Sequence, residues 1–148
     1  MTIQTVGIIG AGIMGNGIAQ VCAVAGIATI MQDISDDALA RGLKTISGSL
    51  ERIVRKGTMT EADQAAALAL IRTTTKPEDL VDADLIIEAA TENEAVKIKI
   101  LQSVDRIARP GTIIATNTSS ISITKLAAAT GRPDRFVGMH FFNPVPVM

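Results

Sequence analysis

Residues 5–33 read TVGIIGAGIMGNGIAQVCAVAGIATIMQD. An apolar β-type segment, Val6 to Ile9, runs into Gly10-Ala11-Gly12-Ile13-Met14-Gly15, and a helical pattern and a second apolar run follow. Strand, glycine turn, helix and strand in this order have the spacing of a dinucleotide-binding βαβ unit. Each glycine has its own physical reason. Gly10 permits the tight turn out of the strand, and Gly12 lacks the Cβ that would keep a pyrophosphate away from the backbone. Gly15 lets the helix pack closely on the strand. The helix start, with Ile13 and Met14 in its first turn, turns unpaired N–H groups and the positive dipole end toward the phosphates.

Asp33 closes the unit, eighteen residues after Gly15. A carboxylate at the end of the second strand accepts hydrogen bonds from ribose hydroxyls and repels a 2′-phosphate. Neither Ile34 nor Ser35 offers a compensating cation, so the pattern favours NAD over NADP. The plainer alternative is a strand-end acid leading into the turn Ile34-Ser35-Asp36.

The same stretch is long enough to cross a bilayer, since Val6 to Met31 carries no charged residue. It also holds six glycines with Asn16 and Gln20, and the first Lys or Arg is Arg41, so it lacks the basic start of a signal peptide. A buried α/β core is the expectation, with no membrane partner.

The 148 residues fit one domain. A hydrophobic fraction of 47% with 2% aromatic gives an Ile/Val/Leu/Ala core, which suits a parallel sheet covered on both faces. A net charge of −1 and the lack of a basic tract or aromatic platform argue against nucleic acid as a partner. No metal site is expected. The single Cys22 lies on the apolar face of the first helix, excludes an internal disulfide and reads as a small hydrophobe, which fits a cytoplasmic compartment.

From Asp36 to Lys56 the spacing predicts a long helix, with Leu39, Leu43, Ile46, Leu50 and Ile53 on one stripe and Gly57 as the stop. Thr60 with Asp63 resembles a capping box opening a second helix that runs to Ile71. Residues 36–71 therefore form a protruding helical hairpin. Strands are expected near Ile71–Thr74 and Ala83–Ile87, divided by Pro77. Then follow a helix over Ala95–Ala108 with Val96 and Lys97 on its inner side, a strand over Thr112–Ala115, a short helix over Ile123–Ala129 and a strand over Arg135–Met139. This order predicts an α/β fold with a doubly wound, mostly parallel sheet of the Rossmann type. Ligands of such sheets lie beyond the carboxyl ends of the strands, which directs attention to Gly10–Gly15, Asp33, Glu88–Glu92, Asn117–Ser120 and His140–Asn143.

His140 is the only histidine and falls at the end of the last strand. Imidazole is the usual group for moving a proton near neutral pH, and a nicotinamide enzyme oxidising an alcohol needs a base. Asn117, Ser119 and Ser120 form a polar strand-end loop that either caps the next helix or holds a substrate oxygen. Glu92 and Lys97 stand either as cofactor contacts or as a favourable helix-start acid and a solvated helix face. Arg52, Arg55 and Lys56 at the hairpin tip complement the helix dipole or grip phosphates of a bulky substrate.

GIIGAGIMGNGIAQ, Asp33, IIEAATEN, NTSSISITKLA and RFVGMHFFNPVPVM together resemble the NAD-binding domain of L-3-hydroxyacyl-CoA dehydrogenases, the bacterial 3-hydroxybutyryl-CoA dehydrogenases above all. The resemblance covers essentially the whole chain in collinear order. It implies NAD-dependent oxidation of an (S)-3-hydroxyacyl-CoA to a 3-ketoacyl-CoA. His140 matches the catalytic base, Ser119 a serine touching substrate and cofactor, and Asn143 an asparagine lining the same site. Glu92 and Lys97 match cofactor contacts, and Ser49 and Lys56 match hairpin positions that contact CoA. In the family a glutamate about a dozen residues beyond the histidine orients it, and a second, all-helical domain closes the site and forms a homodimer. The chain ends at Met148, before both, so the resemblance implies half of an enzyme that binds NAD and turns over little by itself. A dehydrogenase of a free hydroxy or sugar acid on the same fold, and a non-catalytic NAD-binding module, are the alternatives.

Overall fold

A computed structural model describes all residues, 1–148. Strand β1 (Thr5–Ile9) leads through the glycine turn into helix α1 (Ile13–Val24) and strand β2 (Ala28–Gln32). Helices α2 (Asp36–Arg55) and α3 (Glu61–Ala69) follow, then β3 (Ile71–Thr74), a 3₁₀ segment (Pro77–Asp82) and β4 (Leu85–Glu88). The remainder is α4 (Glu94–Ile107), β5 (Ile113–Thr116), α5 (Ile123–Ala128), a short 3₁₀ turn (Pro133–Arg135) and β6 (Phe136–Gly138). The six strands form one sheet in the order β3-β2-β1-β4-β5-β6. Every neighbouring pair is parallel, so the expected doubly wound fold is present without any antiparallel strand.

The order reverses between β1 and β4, which leaves a crevice at their carboxyl ends. The core has two halves. Ile8, Ile18, Met31, Ile46, Leu50 and Ile87 pack between the sheet and helices α1, α2 and α3. Leu80, Ile86, Leu101, Ile114 and Leu126 pack beneath α4 and α5 on the other face. The hairpin is thus seated on α1 through its apolar stripe, with Leu39, Ile46 and Leu50 buried and Leu43 and Ile53 partly so. Its tip, at Arg52, Arg55 and Lys56, is exposed. No helix is long and apolar enough to cross a membrane.

Several expected boundaries shift. Helix α3 stops at Ala69, because Ile71 is already paired with Thr29 in the sheet. Strand β4 begins at Leu85, since Ala83 and Asp84 lie beyond the strand's near end, where the Asp84 carboxylate accepts the Gln4 and Thr5 N–H groups. Pro77 opens a 3₁₀ segment. Val96, expected on the inner side of its helix, is 46% exposed.

Candidate functional site

Backbone geometry dominates the β1–β2 half of the crevice. Gly10 has φ +103°, and a Cβ there would come within 2.7 Å of the Ala89 carbonyl. A Cβ on Gly15 would lie 1.8 Å from the Gly10 carbonyl oxygen, so only glycine lets α1 start against the end of β1. At Gly12 a Cβ would meet nothing within 4 Å. That glycine faces open space which a ligand can fill. Helices α2, α3, α4 and α5 are capped by the side chains of Ser35, Thr60, Asn93 and Ser122. Helix α1 starts at Gly12 with no side-chain cap, so its first N–H groups remain available to an anion.

Asp33 stands beside this turn. One carboxylate oxygen accepts the Ala11 N–H at 2.9 Å and the other accepts the Ser35 N–H at 3.1 Å. Both earlier readings of Asp33 are therefore compatible: it orders the turn, and each oxygen keeps lone pairs for a ribose hydroxyl. Gly10, Gln32 and Asp33 line a cleft of about 420 Å³ whose apolar walls come from Ile34, Pro77, Val96 and Ile100. The flat face of an adenine suits such walls. Arg41 on α2 lines a hollow beside Ala11, Gly12 and Ile13. Neither the apolar walls nor Arg41 was foreseen. Their shared address at the crevice comes from three separated chain segments.

Side-chain chemistry dominates the β4–β5 half. A second cleft, of about 190 Å³, is lined by Met14, Ala89, Glu92, Lys97, Asn117 and Thr118 and shares Ala90 and Thr91 with the first. Lys97 is 1% exposed and its ammonium pairs with the Glu88 carboxylate, which is itself fully buried. The expected inner-side position of Lys97 is thereby borne out and the alternative of a solvated helix face corrected: the helix turns it under the crevice. Glu88 also accepts the Thr116 hydroxyl at 2.8 Å and the Ala90 N–H at 2.9 Å. An ion pair removed from water survives only with such added hydrogen bonds. Sequence reasoning reached Glu88 only as the start of the strand-end stretch Glu88–Glu92 and gave it no role, although an acid ending the apolar run Leu85-Ile86-Ile87 was a visible signal.

Glu92 clasps the neighbouring loop. One of its oxygens accepts the Thr118 hydroxyl at 2.8 Å and the Ser120 hydroxyl at 2.9 Å. The Thr118 bond holds its carboxyl below the usual range; desolvation opposes this, and Ser120, Lys97 and His140 reinforce it. Ser120 is thus occupied with Glu92, and Ser122 caps α5. Ser119 between them is exposed and makes no hydrogen bond through its hydroxyl.

His140 follows β6 and is exposed. The Met139 N–H donates to the Thr116 carbonyl at 2.9 Å, and the Phe141 N–H donates to the Asn117 Oδ1 at 2.8 Å. The residues flanking His140 are therefore tied to the end of β5, at the wall of the second cleft. Its ring lies 4.6 Å from that of Phe142, and Asn143 next to it is exposed. Ser49 and Lys56 lie on the hairpin and share no hydrogen bond or cleft with this group. The Ser49 hydroxyl accepts from the Gln20 amide at 2.9 Å, and Lys56 is exposed at the C-cap of α2. Cys22 is half-buried, and desolvation pushes its thiol up to about 11, which suits a packing role.

Residues 5–148 match the family model described as 3-hydroxyacyl-CoA dehydrogenase, NAD binding domain. The chain belongs to that family. The 3-hydroxybutyryl-CoA dehydrogenase of Bradyrhizobium diazoefficiens is 52% identical over 99% of the chain, which covers 50% of that relative. A crystal structure of (S)-3-hydroxybutyryl-CoA dehydrogenase from Ralstonia eutropha superposes with a TM-score of 0.98 at 60% identity, over 99% of this chain and 52% of that one. The fatty acid oxidation complex subunit alpha of Acinetobacter baumannii is 48% identical over 95% of the chain and 20% of its own length. The chain thus spans about half the length of the 3-hydroxybutyryl-CoA dehydrogenases it matches. As a 3-hydroxyacyl-CoA dehydrogenase NAD-binding domain it takes NAD, and the open Gly12, the uncapped α1 and the Asp33 carboxylate fit that dinucleotide.

Proposed function

We propose that this chain is the cofactor-binding half of an enzyme that oxidises (S)-3-hydroxyacyl-CoA, with 3-hydroxybutyryl-CoA as substrate, to the 3-ketoacyl-CoA. NAD, when bound, supplies the hydride acceptor. The Gly12 turn and α1 receive the diphosphate, Asp33 the adenosine ribose, and Glu92 with Lys97 the nicotinamide side. His140 takes the proton of the 3-hydroxyl, and in reverse returns it to the ketone oxygen. Ser119, whose hydroxyl is unengaged, and Asn143 hold the substrate oxygen beside it. Ser49 and Lys56 on the hairpin contact the CoA moiety. The whole protein acts in the cytoplasm as a homodimer.

One observation carries this reading: the backbone on both sides of the chain's only imidazole is tied to the end of β5, where Asn117 lines the cleft that adjoins the dinucleotide seat. The test is His140→Gln in the full-length protein. Loss of a positioned proton acceptor should lower kcat by roughly 10²–10⁴-fold with NAD affinity spared. An unchanged kcat would favour a non-catalytic NAD-binding module. For the hairpin, Lys56→Glu should raise KM for acyl-CoA several-fold while leaving KM for NAD alone. No change in KM would favour a free hydroxy acid as substrate. The chain by itself should bind NAD and show little acetoacetyl-CoA-dependent NADH oxidation.

A further inference from the structure

Helix α1 carries a second glycine, Gly17, that the dinucleotide pattern does not use. It is buried two positions after Gly15. A Cβ placed there would lie 2.9 Å from the Cβ of Val145 and 3.2 Å from its Cγ2, with the Pro146 ring at 3.6 Å. Val145 is only 7% exposed and belongs to the same core cluster as Ile18 and Ala19 of α1. The segment after β6 therefore reaches back from the edge strand and seats itself on the helix whose first turn faces the dinucleotide. The contact is between a glycine Cα and a branch-point carbon, so neither side has a flexible end that can give way.

Between β6 and this seat lie His140, Phe142 and Asn143. The Phe141 N–H is pinned by Asn117 on one side of Phe142, and Val145 is pinned by Gly17 on the other. Phe142, itself 62% exposed, lies between the two anchors in sequence, and its ring stands 4.6 Å from the His140 ring, tilted by 48°. Two anchors and one aromatic neighbour thus restrict an imidazole that is otherwise exposed.

We propose that Gly17 is a positioning residue for His140: it provides the seat for Val145, and through Val145 and Phe142 it fixes how the imidazole stands relative to the bound cofactor. This rests on the reading of His140 as the group beside the nicotinamide. In an ordinary helix interior Gly→Ala raises helix stability; here the added methyl meets Val145 and displaces the segment instead.

The chain's single histidine gives one imidazole C2–H resonance, so proton NMR of the chain titrated with NAD reads His140 directly. In the unsubstituted chain that resonance should shift on saturation with NAD. In Gly17→Ala most of that shift on saturation should be lost, because the imidazole no longer stands at its place beside the cofactor. The NAD titration midpoint should stay within about twofold, because the seat is removed from the diphosphate contacts. Val145→Ser, which weakens the seat from the other side and leaves α1 intact, should behave alike and carries the test should Gly17→Ala not fold. A shift of full size in both variants overturns the positioning role while leaving His140 in place. An unsubstituted chain whose imidazole ignores NAD overturns the assignment of His140, and the positioning role with it.

Discussion

The two halves of the crevice solve the same problem by opposite means. On the β1–β2 side, room and dipoles come from missing side chains: Gly10, Gly12 and Gly15 bring backbone N–H groups forward, and Asp33 ties the turn. On the β4–β5 side the crevice stands on side chains drawn from β4, α4 and β5, with Glu88, Lys97 and Thr116 buried as one group. A backbone site answers to shape and is intolerant of bulk. A side-chain site answers to charge balance and is intolerant of losing one partner.

Substitution should expose that contrast. Gly15→Val places two methyls beyond a Cβ already 1.8 Å from the Gly10 carbonyl, so α1 can no longer start where it does. Circular dichroism melting and NAD titration should both register it, with loss of measurable NAD binding. A variant that binds normally would break the backbone account of this half. Lys97→Met leaves the Glu88 carboxylate buried without its partner and should cost about 3–5 kcal/mol in urea unfolding. Adding Glu88→Leu should recover much of that loss, since removing both charges also removes their desolvation cost. If Lys97→Met alone is neutral, the pair is not what holds this half. Asp33→Asn keeps the shape of the turn but drops the charge, and should weaken NAD binding by about 1–2 kcal/mol in calorimetry while relaxing discrimination against NADP.

The smallest effect concerns pH. Glu92 has a folded pKa below its ordinary value of 4.5. Its bonds to Thr118 and Ser120 therefore add stability that is complete above that value and disappears as pH falls through the lower folded value. Asp105 has the same sign: burial opposes ionisation, but the Gly131 N–H and Arg132 outweigh it. Melting temperature should fall with acid in this window, and Glu92→Gln should flatten part of the slope. A slope equal to that of the unsubstituted chain would remove Glu92 from the explanation.

The same contrast explains what was legible in advance. Helix α2 was readable because its stripe repeats at helical spacing and faces α1 as a unit. The glycine turn was readable because its three glycines and Asp33 belong to one βαβ unit, where sequence separation sets spatial separation. Lys97 was half legible: the helical spacing put it on the inner side, but its pairing with an acid nine residues earlier came only from the fold. Val96 failed in the converse direction, since at the start of its helix it borders an open cleft, whereas Ile100 one turn on reaches the core. Ser119 and Ser120 are adjacent and chemically alike, yet Glu92 engages one and leaves the other free.

By itself the amino-acid order determined the class of fold, the dinucleotide turn and the family resemblance, because these depend on local periodicity and on residues whose value lies in lacking a side chain. The tertiary structure decided which polar groups are buried together and which strand-end residues share a wall. It alone placed Val145 against Gly17 and Phe141 against Asn117. Such pairings join residues 24 to 128 positions apart. Their energies depend on burial and on neighbours that only the folded sheet supplies.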